Sequence, residues 1–99
     1  MNGNNTIVWT TGTNGTDTAP YKLVMQGDGN LVIYGKNKAV WSTGTNERGT
    51  APYKLVMQGD GNLVIYGKNK AVWSTGTNER GTAPYKLVMQ GDGNLVIYG

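Results

Sequence analysis

The stretch Gln-Gly-Asp-Gly-Asn-Leu-Val-Ile-Tyr, residues 26–34, recurs without change at residues 58–66 and 90–98. Its alternation of side-chain types around Gly27-Asp28-Gly29 predicts a β-hairpin with a three-residue loop, because successive side chains of a strand point to opposite faces. The pairs predicted on one face are Gln26 with Asn30, Val24 with Val32, and Lys22 with Tyr34. The opposite face pairs Met25 with Leu31 and Leu23 with Ile33, which gives the hairpin an apolar side to lay on a core.

The polar face of this hairpin collects groups that suit vicinal hydroxyls. Asp28 offers a carboxylate at the loop tip, between glycines that supply the positive φ a tight loop needs. Gln26 and Asn30 offer carboxamides that donate and accept, and Tyr34 offers a phenol. Because a sugar hydroxyl donates and accepts at once, Asp28 can accept from the same oxygen to which Asn30 donates, while Val32 faces the C–H side of the ring.

Other interpretations of this face are weaker. An aspartate between glycines is common in hairpin turns, but an exposed hairpin face has no structural need for Gln, Asn and Tyr beside it. Calcium needs about six to eight oxygens, and the carboxylates of the first full repeat are only Asp28 and Glu47. A glycosidase needs two carboxyl groups beside the bond, and the chain has no His or Cys. The sequence therefore predicts binding without catalysis, metal or cofactor.

The chain is built from repeats. Residues 18–49 and 50–81 are identical in sequence, and residues 82–99 repeat the first part of that unit, residues 18–35. The part that the third repeat lacks is supplied by residues 4–17, which align with residues 36–49 through Trp9 and Trp41. We therefore predict one threefold-symmetric domain, residues 1–99, in which the N-terminal strand completes the third repeat. Identity that extends to exposed loop residues indicates an engineered or very recently duplicated sequence.

Each repeat has the pattern of an all-β meander, since glycine-rich turns separate short β-prone runs and no helical period is present. The predicted strands of the first repeat are residues 21–26, 30–34 and 39–43, and the segment that begins Thr50-Ala51-Pro52 is a candidate fourth strand. We expect Trp9, Trp41 and Trp73 in the core near the threefold axis. We expect Tyr21, Tyr53 and Tyr85 at the core edge.

The spaced pattern Gln26-x-Asp28-x-Asn30-x-Val32-x-Tyr34 resembles the QxDxNxVxY mannose-binding signature of the monocot mannose-binding lectins of the snowdrop or bulb type. The resemblance covers nearly all of the chain. It implies a β-prism II fold with three antiparallel, about four-stranded sheets around a pseudo-threefold axis, and one metal-free sugar site per sheet. The absence of cysteine is a departure from this family, whose plant members usually carry an intrachain disulfide.

The resemblance also implies a role for each site residue. Asp28 and Asn30 would bind the axial 2-hydroxyl of mannose, and Gln26 the 3-hydroxyl. Tyr34 would bind the 4-hydroxyl, and Val32 would contact ring carbons. The matching residues of the other copies are Gln58, Asp60, Asn62, Val64, Tyr66, Gln90, Asp92, Asn94, Val96 and Tyr98.

The expected partners are mannose and high-mannose glycans. The net charge is +3, but the basic residues are spread along the repeats instead of clustered, which disfavours nucleic acid. No apolar stretch approaches the roughly 20 residues of a membrane span, and residues 1–5 lack the features of a signal peptide, so we expect a soluble chain without membrane insertion. It would be a monomer or a strand-exchanged homodimer, with closure inside one chain favoured by the short link after Asp17.

Two alternatives stay open at this point. The first is a symmetric β-scaffold with little or no sugar affinity. The second is a β-trefoil, which is also threefold and often lectin-like, although its repeats are usually longer than the repeat of this chain, residues 18–49.

Overall fold

The computed structural model describes residues 6–99, and nine short β-strands lie in that range. They are β1 (Ile7–Thr10), β2 (Lys22–Met25), β3 (Leu31–Tyr34), β4 (Ala39–Ser42), β5 (Lys54–Met57), β6 (Leu63–Tyr66), β7 (Ala71–Ser74), β8 (Lys86–Met89) and β9 (Leu95–Tyr98). No element of this part of the chain is a helix long and apolar enough to cross a membrane.

The strands of residues 6–99 form three antiparallel sheets of three strands each. The first has the order β2-β3-β4, the second β5-β6-β7 and the third β1-β9-β8. In the third sheet Trp9 lies opposite Ile97 and Thr10 opposite Val96. The N-terminal strand thus completes the third repeat, and the predicted all-β architecture of three sheets is confirmed.

Each sheet has one strand fewer than the resemblance implies. The segment Thr50-Ala51-Pro52 is irregular, and its Thr50 carbonyl accepts a backbone hydrogen bond from Lys68 N at 2.7 Å. A regular ladder cannot continue through Pro52 because proline has no N–H to donate. The equivalent contact of the first repeat joins Lys36 N to the Thr18 carbonyl at 2.8 Å.

The central strand of each sheet supplies the buried core. Leu31 and Ile33 of β3 have no exposed surface, and Val32 between them is 4% exposed. The corresponding residues of the other two sheets are Leu63, Val64, Ile65, Leu95, Val96 and Ile97. Full burial of such a side chain contributes about 1.5 to 3 kcal/mol, so these residues dominate the stability of a small domain.

Trp9, Trp41 and Trp73 meet one another, as the sequence predicted, but each is half-buried and none belongs to the fully buried core. Their ring centroids are 6.1, 6.2 and 6.3 Å apart, and each pair is inclined by 70° in an edge-to-face arrangement. Each such pair adds about 0.5 to 1.5 kcal/mol beyond its buried area. Because one ring comes from each sheet, this cluster holds the three sheets together.

The half-buried Tyr21, Tyr53 and Tyr85 connect neighbouring repeats. The ring of Tyr53 packs so closely on Gly29 of the preceding repeat that a Cβ there would stand 2.7 Å from Tyr53 Cζ. Gly29 also has a φ of +95°, which disfavours any side chain at this position. The same contact joins Tyr85 to Gly61 and Tyr21 to Gly93. The three contacts form a closed cycle around the molecule.

Candidate sugar-binding site

The predicted hairpin register is confirmed. Val24 pairs with Val32 and Lys22 with Tyr34 across β2 and β3. Gln26 and Asn30 face each other at the end of the hairpin, where Gln26 N donates to the Asn30 carbonyl at 2.9 Å. The same pairs recur between β5 and β6 and between β8 and β9. Each sheet therefore places its Gln, Asn, Val and Tyr on one face.

The loop at the hairpin tip holds Asp28 in the solvent. Gly29 N donates to the Gln26 carbonyl at 3.1 Å, which closes the turn. Asp28 Oδ1 accepts a hydrogen bond from Asn30 N at 3.0 Å, and the same bond forms at Asp60 and Asp92. The carboxylate is exposed, so it is oriented by the loop and still accessible to a ligand.

Gln26 and Tyr34 are already joined on this face. Gln26 Nε2 donates to Tyr34 Oη, and Gln58 makes the same short hydrogen bond to Tyr66. In the third sheet the bond from Gln90 Nε2 to Tyr98 Oη is 2.5 Å long. This bond uses one of the two Nε2 hydrogens, so the Gln side chain keeps its carboxamide oxygen to accept from a ligand and one N–H to donate.

Asn30 has a structural role that the sequence analysis missed. Its Oδ1 accepts from Gly44 N at 2.9 Å, from Thr45 N at 3.2 Å and from Thr43 Oγ1 at 3.2 Å. Backbone N–H groups only donate, so this atom must be the oxygen, and Nδ2 is the group left to donate to a ligand. A sequence signal was present: the Thr-Gly-Thr of residues 43–45 is retained at residues 11–13, although half of the aligned positions of residues 4–17 and 36–49 differ.

Val32, Val64 and Val96 offer little surface. They are 4%, 3% and 0% exposed, and each lies on a central strand between two neighbours, as Val32 does between Val24 and Ser42. Each valine therefore forms the floor of its site instead of a broad apolar patch. The remaining site residues are half-buried (Gln, Asn, Tyr) or exposed (Asp), so every predicted set is brought together on its own sheet.

Comparison with known proteins connects this arrangement to a family. No family model matches the chain, and no curated protein is matched by its sequence. Among solved structures, it is similar to a mannose-binding lectin of Gastrodia elata with 49% identity, covering 79% of this chain and 69% of that one at a TM-score of 0.72. The mannose-specific agglutinin of snowdrop (Galanthus nivalis), solved with methyl-α-D-mannoside, has 38% identity, coverage of 84% and 75%, and a TM-score of 0.75. The lectin of Polygonatum cyrtonema, solved with a monomannoside, has 44% identity, coverage of 84% and 76%, and a TM-score of 0.71.

Three antiparallel sheets with one polar hairpin face each define the class of protein, a β-prism II lectin, and they exclude the trefoil alternative. With 38% to 49% identity over more than two thirds of each of these relatives, the chain belongs to the family of monocot mannose-binding bulb lectins. Family membership places it among the carbohydrate-binding proteins and not among the enzymes.

Proposed function

We propose that this chain binds terminal mannose non-covalently and without a metal ion at three sites, one on each sheet. The observation that carries the proposal is the preorganised polar face: the Gln–Tyr pair and the Asp–Asn pair of each site are hydrogen-bonded without any ligand. Relatives from snowdrop and Polygonatum were solved with mannosides, which supports the choice of sugar. The expected larger partner is a high-mannose glycan, whose terminal mannose units would occupy the sites.

In the proposed complex, Asp28 accepts from the axial 2-hydroxyl of mannose while Asn30 Nδ2 donates to the same oxygen. Gln26 Oε1 accepts from the 3-hydroxyl, while one Gln26 Nε2 hydrogen is donated to Tyr34 Oη. Tyr34 Oη reaches the 4-hydroxyl, and Val32 lies under the ring carbons. Because the protein groups are held before binding, little side-chain entropy is lost when the sugar arrives. The equivalent polar residues of the other two sheets act in the same way, although Val96 has no exposed surface to offer the ring.

The metal-free part of the proposal depends on which side chains are available as metal ligands. Within residues 6–99 there is no group of three or more His, Cys, Asp or Glu side chains that could hold an ion. A single exposed carboxylate per hairpin falls well short of the oxygens that calcium requires. Recognition therefore depends on hydrogen bonds made directly to the sugar.

Titration calorimetry with methyl α-mannoside tests the proposal. We expect a dissociation constant on the order of millimolar for each shallow site, no change when EDTA is added, and no heat with methyl α-galactoside. Loss of binding in EDTA that calcium restores would contradict the metal-free mechanism. Equal responses to both sugars, or none to either, would favour the scaffold alternative.

The combined variant Asp28→Ala, Asp60→Ala and Asp92→Ala tests the assigned residues. Removing a charged acceptor from a ligand hydroxyl costs about 1 to 3 kcal/mol, which takes a millimolar site beyond detection. Circular dichroism should show an unchanged fold, and each single substitution should remove one of the three sites. A triple variant that binds as well as the parent would place the site elsewhere.

A further inference from the structure

The second site continues into a cavity at its tyrosine end. This cavity has a volume of about 520 Å³ and is lined by Gln58 and Tyr66 of the site together with Lys54, Lys68 and Lys70. A cavity of about 510 Å³ overlaps the equivalent place on the first sheet, with Tyr34, Lys22, Lys36 and Lys38 in its lining, but it extends toward Pro20 instead of Gln26. Volumes of this size are in the range of small-molecule sites.

The strand register and the turn explain why three lysines gather there. Lys54 lies directly opposite Tyr66 in the hairpin, on the same face as the site. Lys68 and Lys70 belong to the turn that joins β6 to β7, just after Tyr66. All three lysines are exposed. Surface lysines usually serve solubility, but here three lysines line one cavity that shares two lining residues, Gln58 and Tyr66, with the candidate mannose site.

The third sheet lacks most of this charge. The residues that align with Lys36 and Lys38 are Asn4 and Thr6, so of the three lysines only Lys86 is present. Its Nζ lies 5.7 Å from the centroid of the Tyr98 ring, within the range of a cation–π interaction. The chain thus contains its own site of low positive charge for comparison.

The first site carries an additional negative charge. The Asp17 carboxylate accepts hydrogen bonds from Asn37 N at 2.8 Å and from Lys38 N at 3.1 Å, in the turn that lines the first cavity. The position of Asp17 is occupied by Gly49 in the next repeat. The attraction for an anion should therefore be strongest at the second site, weaker at the first and weakest at the third.

We propose that the lysine-lined cavities accept an anionic ester group, phosphate or sulfate, carried by the sugar that occupies the adjacent site. This inference rests on the proposed mannose binding and adds a substrate class to it. Lysine ammonium groups are compact charges with three donors each, well suited to tetrahedral oxyanions. A phosphate ester, with nearly two charges at neutral pH, should gain more than a sulfate ester with one.

The test uses the full chain with only the second site intact, the Asp28→Ala/Asp92→Ala variant. Methyl α-mannoside, mannose 6-phosphate, mannose 1-phosphate, mannose 6-sulfate and inorganic phosphate are titrated at low and high salt. We expect at least one phosphate ester to bind about three- to tenfold more tightly than the mannoside at low salt. The advantage should shrink in about 0.5 M salt because exposed charges are screened.

Two variants in this background locate the effect. Lys68→Gln/Lys70→Gln should reduce the ratio of ester affinity to mannoside affinity below about twofold. The matched control, Lys36→Gln/Lys38→Gln, removes the same charges from an identical turn on a silenced sheet and should leave the ratio unchanged. A background with only the third site intact should show the smallest ratio of the three.

The outcomes separate this inference from the proposed function. Mannoside binding with no gain from either phosphate ester, or a gain that survives Lys68→Gln/Lys70→Gln, would overturn the anionic subsite and leave mannose binding standing. Inorganic phosphate that binds as tightly as the ester would also overturn it, since the anion would then be held independently of the sugar. Absence of binding by methyl α-mannoside would reject the proposed function, and the subsite with it.

Discussion

Asn62 differs from the other polar residues of its site because its side-chain oxygen is already occupied. That oxygen accepts from Gly76 N, Thr77 N and Thr75 Oγ1 at 2.9, 3.2 and 3.3 Å. Asp60, two residues earlier, lies exposed at the loop tip, and its Oδ1 accepts from Asn62 N. Asn62 therefore joins the hairpin to the loop that follows β7, whereas Asp60 is the exposed residue of the proposed site.

We predict that Asn62→Ala lowers both sugar binding and stability, whereas Asp60→Ala lowers mainly sugar binding. Loss of the Asn62 oxygen leaves the part-buried N–H of Thr77 without its acceptor, which costs about 1 to 3 kcal/mol. Urea denaturation followed by tryptophan fluorescence measures the difference. Equal midpoints for the two variants would contradict the structural role of Asn62, and Asn62→Asp, which keeps an acceptor oxygen, should recover most of the stability.

Sequence reasoning could predict which residues share the polar face, but not the hydrogen bonds that the Asn side-chain oxygen makes to the following loop. The pairing of Gln26 with Asn30 and of Lys22 with Tyr34 follows from strand alternation, which is local and has a fixed period. The contact of Asn30 with the Gly44 backbone joins two separate loops and depends on how the chain folds back after β4. The burial of Val32 depends in the same way on side chains packed from both neighbouring strands.

Asp17 connects the segment after β1 to the turn between β3 and β4. Its Oδ2 accepts from Asn37 N at 2.8 Å and from Lys38 N at 3.1 Å, and its Oδ1 accepts from Asn37 Nδ2 at 3.1 Å. The backbone hydrogen bond from Asn37, above all, holds the pKa of Asp17 below its ordinary value of 3.8. The folded chain thus favours the ionised form of Asp17 more than the unfolded chain does.

We predict that Asp17→Asn lowers the thermal midpoint near neutral pH and that its deficit shrinks in acid. A carboxyl group whose folded pKa is depressed stabilises the fold fully above its unfolded pKa and loses that contribution as pH falls through the folded value. The midpoints of parent and variant should therefore converge below about pH 4. Scanning calorimetry from pH 7 to pH 2 measures this, with Glu79→Gln, an exposed carboxylate, as the control. A deficit that is the same at every pH would show that the charge of Asp17 is not the cause.

Strand β1 closes the molecule, because it pairs with β9 and brings Trp9 to the other two tryptophans. We predict that deletion of residues 1–17 unfolds or aggregates the chain although all three QxDxNxVxY stretches remain. An open edge at β9 invites association, and loss of a packed tryptophan costs roughly 3 to 5 kcal/mol, comparable with the whole stability of a small domain.

Point variants separate these two effects. Trp9→Ala should lower the free energy of unfolding by several times as much as Ile7→Ala, since Ile7 on the same strand is 57% exposed. Denaturant titration gives both values. A truncated chain that stays monomeric, folded and as heat-resistant as the parent would contradict this account of closure.

The closure was predictable because it follows from the lengths of the repeats: residues 4–17 are as long as residues 36–49, the part of the unit that the third repeat lacks. The tyrosine contacts between repeats were not predictable, because Tyr53 of the second repeat meets Gly29 of the first only after both hairpins have formed. The number of strands in each sheet was also left open. Proline is admitted at the first residue of a strand, so the sequence could not exclude a fourth strand, but in the structure the segment around Pro52 is irregular.

The three candidate sites lie on three different sheets that share one tryptophan cluster. Each sheet turns the tryptophan of one outer strand toward the shared cluster of three rings, and each exposes its Asp at a separate hairpin tip. We therefore expect that a flat, glycan-coated surface in contact with one polar face does not reach the other two. Such an arrangement favours binding of several glycans on separate particles over binding of one flat surface by all three sites.

We predict that the parent chain crosslinks beads coated with high-mannose glycan into aggregates that free methyl α-mannoside disperses. The Asp28→Ala/Asp92→Ala variant, with one site left, should still bind the beads but not join them, because multivalent attachment requires at least two sites on one molecule. Asp92→Ala, with two sites left, should crosslink at a higher protein concentration. Light scattering records aggregation, and sedimentation in the absence of sugar checks that each variant is monomeric. Aggregation by a monomeric one-site variant would reveal a second binding surface and would contradict the assignment of valence to the three hairpin faces.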